Sequence, residues 1–222
     1  MRVIEELLKK ILPLPLLLLL RKITFNYRMI LYKFVSRPVK RGETNKARPR
    51  RIREKFFEKY CQGKGLDVGY GGDLLAENCR GWDIEDGNAE TLNGLKESEF
   101  DFVYSSHTLE HVEDAVSTLR VWWKVVKPGG YLILYLPERD LYERKKVLPS
   151  NWNETHKRFF LFDRDELPDT VGVVPLIRRS LSSYDIVEAK VCNEGYGVPE
   201  PNKQSIGEYS IEVVIHKKPS SS

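Results

Sequence analysis

The clearest hydrophobic pattern in the chain runs from Thr108 to Val126. Leu109, Val112, Val116, Leu119, Trp122, Trp123 and Val126 recur at steps of three and four, which predicts one long amphipathic helix. Lys127-Pro128-Gly129-Gly130 should end it, as Pro and Gly do. Shorter apolar runs surround it. Leu66-Asp67-Val68, Gly81 to Ile84, Phe100 to Tyr104 and Tyr131 to Leu136 predict four strands, with a short helix over Asp73 to Asn78. Later, Tyr184 to Cys192 and Tyr209 to His216 predict a hairpin-like pair. In the second of these, Ile211, Val213 and Ile215 fall on one side and Glu212 on the other. Strands and helices alternate before a final strand pair, which implies an α/β body with a mostly parallel sheet.

The pattern changes toward the N-terminus. Ile11 to Leu20 is apolar except for its prolines, flanked by Lys9-Lys10 and Arg21-Lys22. Ten residues of helix reach about 15 Å, half of a bilayer core of about 30 Å. Pro13 and Pro15 also disfavour a regular helix. Ile23 to Val35 mixes aromatic, aliphatic and basic residues, as membrane-interface segments do. Residues 1–35 therefore read as a monotopic membrane attachment, or as helices packed on the body or a partner. A cleaved leader fits less well, with Glu5-Glu6 near the start and no small-residue cleavage site. Residues 36–55 are basic and nearly devoid of apolar side chains, and read as a solvated linker; Ile52, Phe56, Phe57 and Tyr60 then predict a leading helix. The division expected is 1–35 extension, 36–60 linker and leading helix, 61–218 catalytic body.

Charge sharpens that division. Residues 1–60 hold 17 Lys and Arg against 5 Asp and Glu, whereas residues 61–222 hold 19 against 27. A basic arm on an acidic body points to an anionic partner, lipid or nucleic acid. The three cysteines form neither a CxxC pair nor a disulfide framework, which favours a reducing, cytoplasmic setting, at the inner face of the membrane if the arm attaches there.

The candidate chemistry begins at Leu66-Asp67-Val68-Gly69-Tyr70-Gly71-Gly72-Asp73. An apolar strand carrying an Asp runs into a turn with three glycines in four positions, the kind of place where α/β proteins hold nucleotide-like ligands. A dinucleotide fingerprint wants a further glycine at position 74, where Leu74 stands.

Three blocks resemble the class I S-adenosylmethionine-dependent methyltransferases of the type 11 kind. They are LDVGYGGD, EFDFVYSSHTLEHVED and WWKVVKPGGYLILYLPE, in that order, spanning about 65 to 138 with Gly81-Trp82-Asp83 and Asn88-Ala89-Glu90 between. The resemblance implies a Rossmann-like, mostly parallel sheet with a C-terminal antiparallel strand pair and helices on both faces. It implies S-adenosyl-L-methionine as cofactor. Asp67, Gly69 and Gly71 would face its methionine end, Asp83 its ribose hydroxyls, and Asn88 and Ala89 its adenine edge. Ser106 and His107 would line the cofactor crevice. Tyr70 and Trp82 would lie over cofactor faces or in the core. Only 14 residues separate Gly69 from Asp83, so helices that usually flank the second strand should be shortened or missing.

The acceptor remains open at this level. A hydroxyl must lose a proton as it attacks the methyl group, and histidine is the natural base. His107, His111 and His156 are the candidates, with Glu110 as orienting partner and residues 138–160 on the acceptor side. His107-Thr108-Leu109-Glu110-His111 also spells H-x-x-E-H, which on a helix would place both histidines on one face. No third ligand is evident, so no metal is expected. The reading is methyl transfer to a hydroxyl of a glycan, lipid-linked or small polar substrate. Two alternatives stand beside it: an RNA or protein methyltransferase gripping through the basic arm, and a non-catalytic, membrane-tethered binding protein that kept the fold. Oligomeric state is not legible.

Overall fold

The computed structural model describes residues 42–219. The 1–35 extension lies outside these residues. Helices α1 (Glu43–Arg53) and α2 (Phe56–Tyr60) lead into strands β1 (Gly65–Val68), β2 (Cys79–Trp82) and β3 (Phe100–Ser106). Helix α3 (Ala115–Val125), strand β4 (Val126–Pro137) and the single turn α4 (Arg139–Tyr142) follow. Strands β5 (Phe159–Leu161) and β6 (Thr170–Gly172), helix α5 (Val173–Ser180), and strands β7 (Tyr184–Cys192) and β8 (Ser210–Lys217) complete the order. Six strands form one sheet, β2-β1-β3-β4-β8-β7, and β5 and β6 pair separately. The first four are parallel; β8 is antiparallel to both β4 and β7.

The sheet is buried on both faces, so its strands read as continuous apolar runs. Leu66, Val68, Val103, Leu132, Leu134, Ile211, Val213 and Ile215 face α3 and α5, where Leu119, Trp122, Leu176 and Ile177 complete that layer. Phe102, Tyr104, Ile133, Tyr135 and Val214 face the other way, against Ala47 of α1 and Phe56 of α2.

Two local expectations change. Helix α3 begins at Ala115, because Asp114 caps it by accepting from the Val116 and Ser117 amides. Residues 108–114 form turns instead, entered through His107 at φ 49°. Leu109 and Val112 are still buried, so their helical spacing reports burial rather than helix. Residues 73–78 make turns too, where the Leu75 amide donates to the buried Asp67 carboxylate at 2.8 Å. Between β1 and β2, and between β2 and β3, no helix intervenes, as the short spacing predicted.

The largest change concerns the basic stretch, which is folded from Glu43 onward. Its solvated reading fails because two of its arginines have acidic partners in the sheet. Glu212 on β8 is fully buried. It accepts from Arg50 Nη1 and Arg51 Nε, each at 2.7 Å. Arg50 also binds Glu208, with Nε 3.0 Å from Oε1 and Nη2 2.9 Å from Oε2. The Arg51 guanidinium lies within 5.0 Å of the ring centres of Phe56, Tyr104 and Tyr135. Farther along α1, Arg48 donates to the Leu74 and Leu75 carbonyls, and Asn45 binds Asp73.

Burial alone would raise the Glu212 carboxyl, but Arg51 and Arg50 hold it below its ordinary value of 4.5. Its contribution to stability is therefore present above pH 4.5 and is lost as pH falls through the lowered folded value. Glu212→Gln leaves buried guanidinium charge without its partner and is expected to cost about 3–5 kcal/mol. Urea unfolding of the two proteins measures this; the variant should also lack the acid-range loss tied to this carboxylate. An unchanged midpoint would refute the assignment.

Candidate active site

The first half of the site is the turn after β1. Gly69, Gly71 and Gly72 have φ of 72°, 55° and 84°, in the left-handed region that favours glycine. A Cβ on Gly69 would lie 2.1 Å from Thr108 Oγ1, so the glycine lets the β3–α3 turn seat directly on this loop. Thr108 Oγ1 lies 3.2 Å from the Val68 carbonyl, and Ser105 Oγ donates to the same oxygen at 3.0 Å. By contrast, nothing lies within 4 Å of where a Cβ on Gly71 or Gly72 would stand. That backbone is open to an approaching molecule.

Asp67 sits beneath the loop, fully buried. Its Oδ2 accepts from Leu75, while its Oδ1 is buried with no hydrogen-bond partner among the described residues. Burial pushes this carboxyl up to about 7. Asp83 follows β2 and accepts from the Gly71 amide at 2.9 Å, so the missing helices bring it against the glycine loop. Its other oxygen accepts from Ile84 at 2.8 Å.

The remaining predicted cofactor residues divide. Ser106 Oγ is buried without a hydrogen-bond partner, at the carboxyl end of β3. Ala89 packs at the edge of the core, and its carbonyl accepts from Trp122 Nε1 at 2.7 Å. Asn88 is exposed, and its side chain accepts from the Glu90 amide. Trp82 is a core residue, while the Tyr70 ring lies against Gly81, where a side chain would collide with it.

The second half of the site joins His107, His111 and His156 around one carboxylate. Glu110 Oε1 lies 3.7 Å from His107 Nδ1, 3.8 Å from His111 Nε2 and 3.9 Å from His156 Nε2. The two stretches meet through backbone contacts. Lys157 N donates to the Glu110 carbonyl at 2.8 Å, and Arg158 donates to the Leu109 and Glu113 carbonyls. His107 and His111 do not share a helix face, since their segment is a turn. Burial pushes both imidazoles down to about 4, and pushes the Glu110 carboxyl up to about 8.

Several residues here escaped the sequence reading. The His107 ring packs near Tyr135, Tyr142 and Tyr209, with centroids 5.8–6.0 Å away. Its Nε2 is 2.9 Å from Ser210 Oγ and 4.0 Å from Glu43 Oε2. Glu43 also accepts from Tyr209 at 2.6 Å and pairs with Lys46 at 2.7 Å. Thus α1 brings Glu43 and Lys46 against His107 and Tyr209. The available signal was Glu212 within the apolar run Ile211 to Ile215, with Glu208 just before the strand: buried acids require cations, and Arg50-Arg51 supplied them.

A methyltransferase domain family profile matches residues 56–134, from α2 through the glycine loop and the 107–111 turn into β4. Residues 56–134 thus carry a methyltransferase domain, and the sheet around them has the fold of S-adenosylmethionine-dependent methyltransferases. Comparison with curated proteins gives no match. Among solved structures, a protein studied for the conversion of a disulfide bond into a thioacetal group during echinomycin biosynthesis is 17% identical. That match covers 76% of this chain and 81% of the other, with a TM-score of 0.50. A protein from Bacillus halodurans C-125, solved as a candidate methyltransferase, is 13% identical over 74% of this chain and 98% of its own, with a TM-score of 0.51. These likenesses show the fold.

The residues fit the cofactor of this methyltransferase. Asp67 Oδ1 is a buried acceptor without a partner, Gly71 and Gly72 leave their backbone open, and Asp83 stands beyond the next strand. The raised Asp67 value means that its protonated form favours the fold. That contribution is present below pH 3.8 and lost as pH rises through about 7. A cofactor ammonium near Asp67 would favour the ionised form instead. Affinity for S-adenosylmethionine should therefore rise with pH and level off above about 7. Asp67→Asn should bind more weakly, with a flatter profile. Calorimetry between about pH 5.5 and 7.5 measures both; a wild-type profile as flat as the variant's would exclude this role for Asp67.

Proposed function

We propose that this methyltransferase transfers the methyl group to a hydroxyl of a polar acceptor: a glycan, a lipid-linked saccharide or a small molecule. The observation that carries the reading is the convergence of three imidazoles on Glu110 beside Tyr142 and Tyr209. Such a wall pairs hydrogen-bonding groups with aromatic faces, as polar, ring-bearing ligands require. S-adenosylmethionine supplies an electrophilic methyl on a sulfonium when bound. The chain's part is to align the acceptor, exclude water and receive a proton. His107 is the proposed base, because it follows Ser106 directly and reaches toward both Glu110 and Ser210. His111 and His156 hold the acceptor's oxygen, and Asp67, Gly69, Gly71 and Asp83 hold the cofactor.

The apolar, basic 1–35 segment supports a place at a membrane surface, where lipid-linked acceptors reside. The RNA reading loses much of its grip. Arg50 and Arg51 are spent on buried acids, Arg48 on backbone carbonyls, and Arg53 on Glu194.

Incubation with methyl-labelled cofactor and fractionated cell extract tests the proposal. Alkali-stable label should enter the glycan or lipid fraction, as expected of a methyl ether. His107→Ala should lower incorporation by about 10²-fold or more. Label confined to RNA or protein would sink the hydroxyl-glycan reading.

A further inference from the structure

The cluster around Glu110 has an electrostatic arrangement that proton transfer alone does not account for. Glu110 is fully buried, and neither of its carboxylate oxygens has a hydrogen-bond partner among the described residues. The histidines facing it are oriented from behind. His156 Nδ1 is 2.7 Å from Glu143 Oε1. Glu143 also accepts from Ser150 Oγ and the Asn151 amide, so it acts as an acceptor and His156 Nδ1 carries the hydrogen. His111 Nδ1 is 2.8 Å from Thr155 Oγ1. That hydroxyl donates its one hydrogen to Asn153 Oδ1 at 2.7 Å, so His111 Nδ1 must be the donor.

Both imidazoles are thereby held at Nδ1 from behind, with Nε2 turned toward Glu110 Oε1. The ligand atoms of Glu110, His111 and His156 all lie within 4.8 Å of one another. Two imidazole nitrogens and a carboxylate that converge in a buried place call for a proton or a cation between them. Metal bonds of about 2.0–2.2 Å at tetrahedral angles put ligand atoms about 3.4 Å apart. The separations from Glu110 Oε1, 3.8 and 3.9 Å, exceed this by a few tenths of an ångström. The Glu143–His156 pair has the form of the carboxylate–histidine–metal arrangement that orients metal-binding imidazoles.

We propose that Glu110, His111 and His156 form a binding site for a divalent transition-metal cation, with Zn²⁺ as the fitting type and Mn²⁺ or Fe²⁺ of the same donor class. Two imidazole nitrogens and one carboxylate suit these ions better than Mg²⁺, which prefers an all-oxygen shell. Three protein ligands leave a position for the acceptor hydroxyl. There the cation lowers the hydroxyl's pKa. The proton passes to His107 Nδ1, the oxygen's electron pair forms the C–O bond, and the C–S bonding pair stays on sulfur. This step rests on the methyl-transfer reading; the binding site does not.

The full chain, stripped of metal by chelation and dialysis, is titrated with Zn²⁺, Mn²⁺ and Mg²⁺ by calorimetry, with S-adenosylmethionine titrated separately. One Zn²⁺ per chain is expected, bound more tightly than Mg²⁺. His156→Ala and Glu110→Gln should abolish this binding, and Glu143→Gln should weaken it by about 10–100-fold. Circular dichroism checks that each variant is folded; His111→Ala, at a partly exposed position, is the variant expected to disturb the fold least. Failure of folded wild-type protein to bind Zn²⁺ or Mn²⁺, or binding that survives in folded His111→Ala and His156→Ala, overturns the site. If S-adenosylmethionine binds and no metal does, this proposal falls while the methyltransferase reading stands; metal binding without cofactor binding gives the reverse.

Discussion

A carboxylate at the centre of a sheet has to be paired, and Glu212 is such a carboxylate. It is fully buried on β8, between the parallel half of the sheet and the edge strand β7. Arg50 and Arg51 neutralise it, and because they are consecutive on α1 they fix that helix in both position and rotation. Breaking such a pair would strand a buried charge, so the helix has little freedom to leave. Everything else that α1 carries is then placed too. Its first turn brings Glu43 and Lys46 to Tyr209 and His107, and Arg48 and Asn45 clamp the segment after the glycine loop. One buried acid thus places the residues of α1 beside His107 and supports the segment after the glycine loop.

The cluster around Glu110 uses the same physics with a different result. Glu110 is as deeply buried as Glu212, yet no arginine or lysine pairs with it. Lys157 pairs with Glu113, and Arg158 spends its donors on the Leu109 and Glu113 carbonyls. What faces Glu110 is a ring of imidazoles whose other nitrogens are already held. The fold pairs one buried carboxylate with arginines and leaves the other facing imidazole nitrogens. The close seating of Thr108 over Gly69 puts that chemistry beside the cofactor loop.

The sequence by itself determined the parallel sheet, the glycine loop and the late antiparallel pair, because each rests on local spacing. Buried strands must be apolar, and a turn with positive φ favours glycine. The three histidines were legible as residues for the same reason: few side chains can take a proton near neutral pH. Periodicity misled where burial imitated a helix, at Leu109 and Val112, and composition misled where a basic stretch was read as solvated. Only the tertiary structure decided that Arg50 and Arg51 meet Glu212, that Glu43 and Tyr209 meet beside His107, and that His156 stands opposite Glu110. These contacts join residues from 46 to 166 positions apart in the chain. Buried charges choose partners by proximity in the folded core, and no pattern along the sequence encodes that proximity.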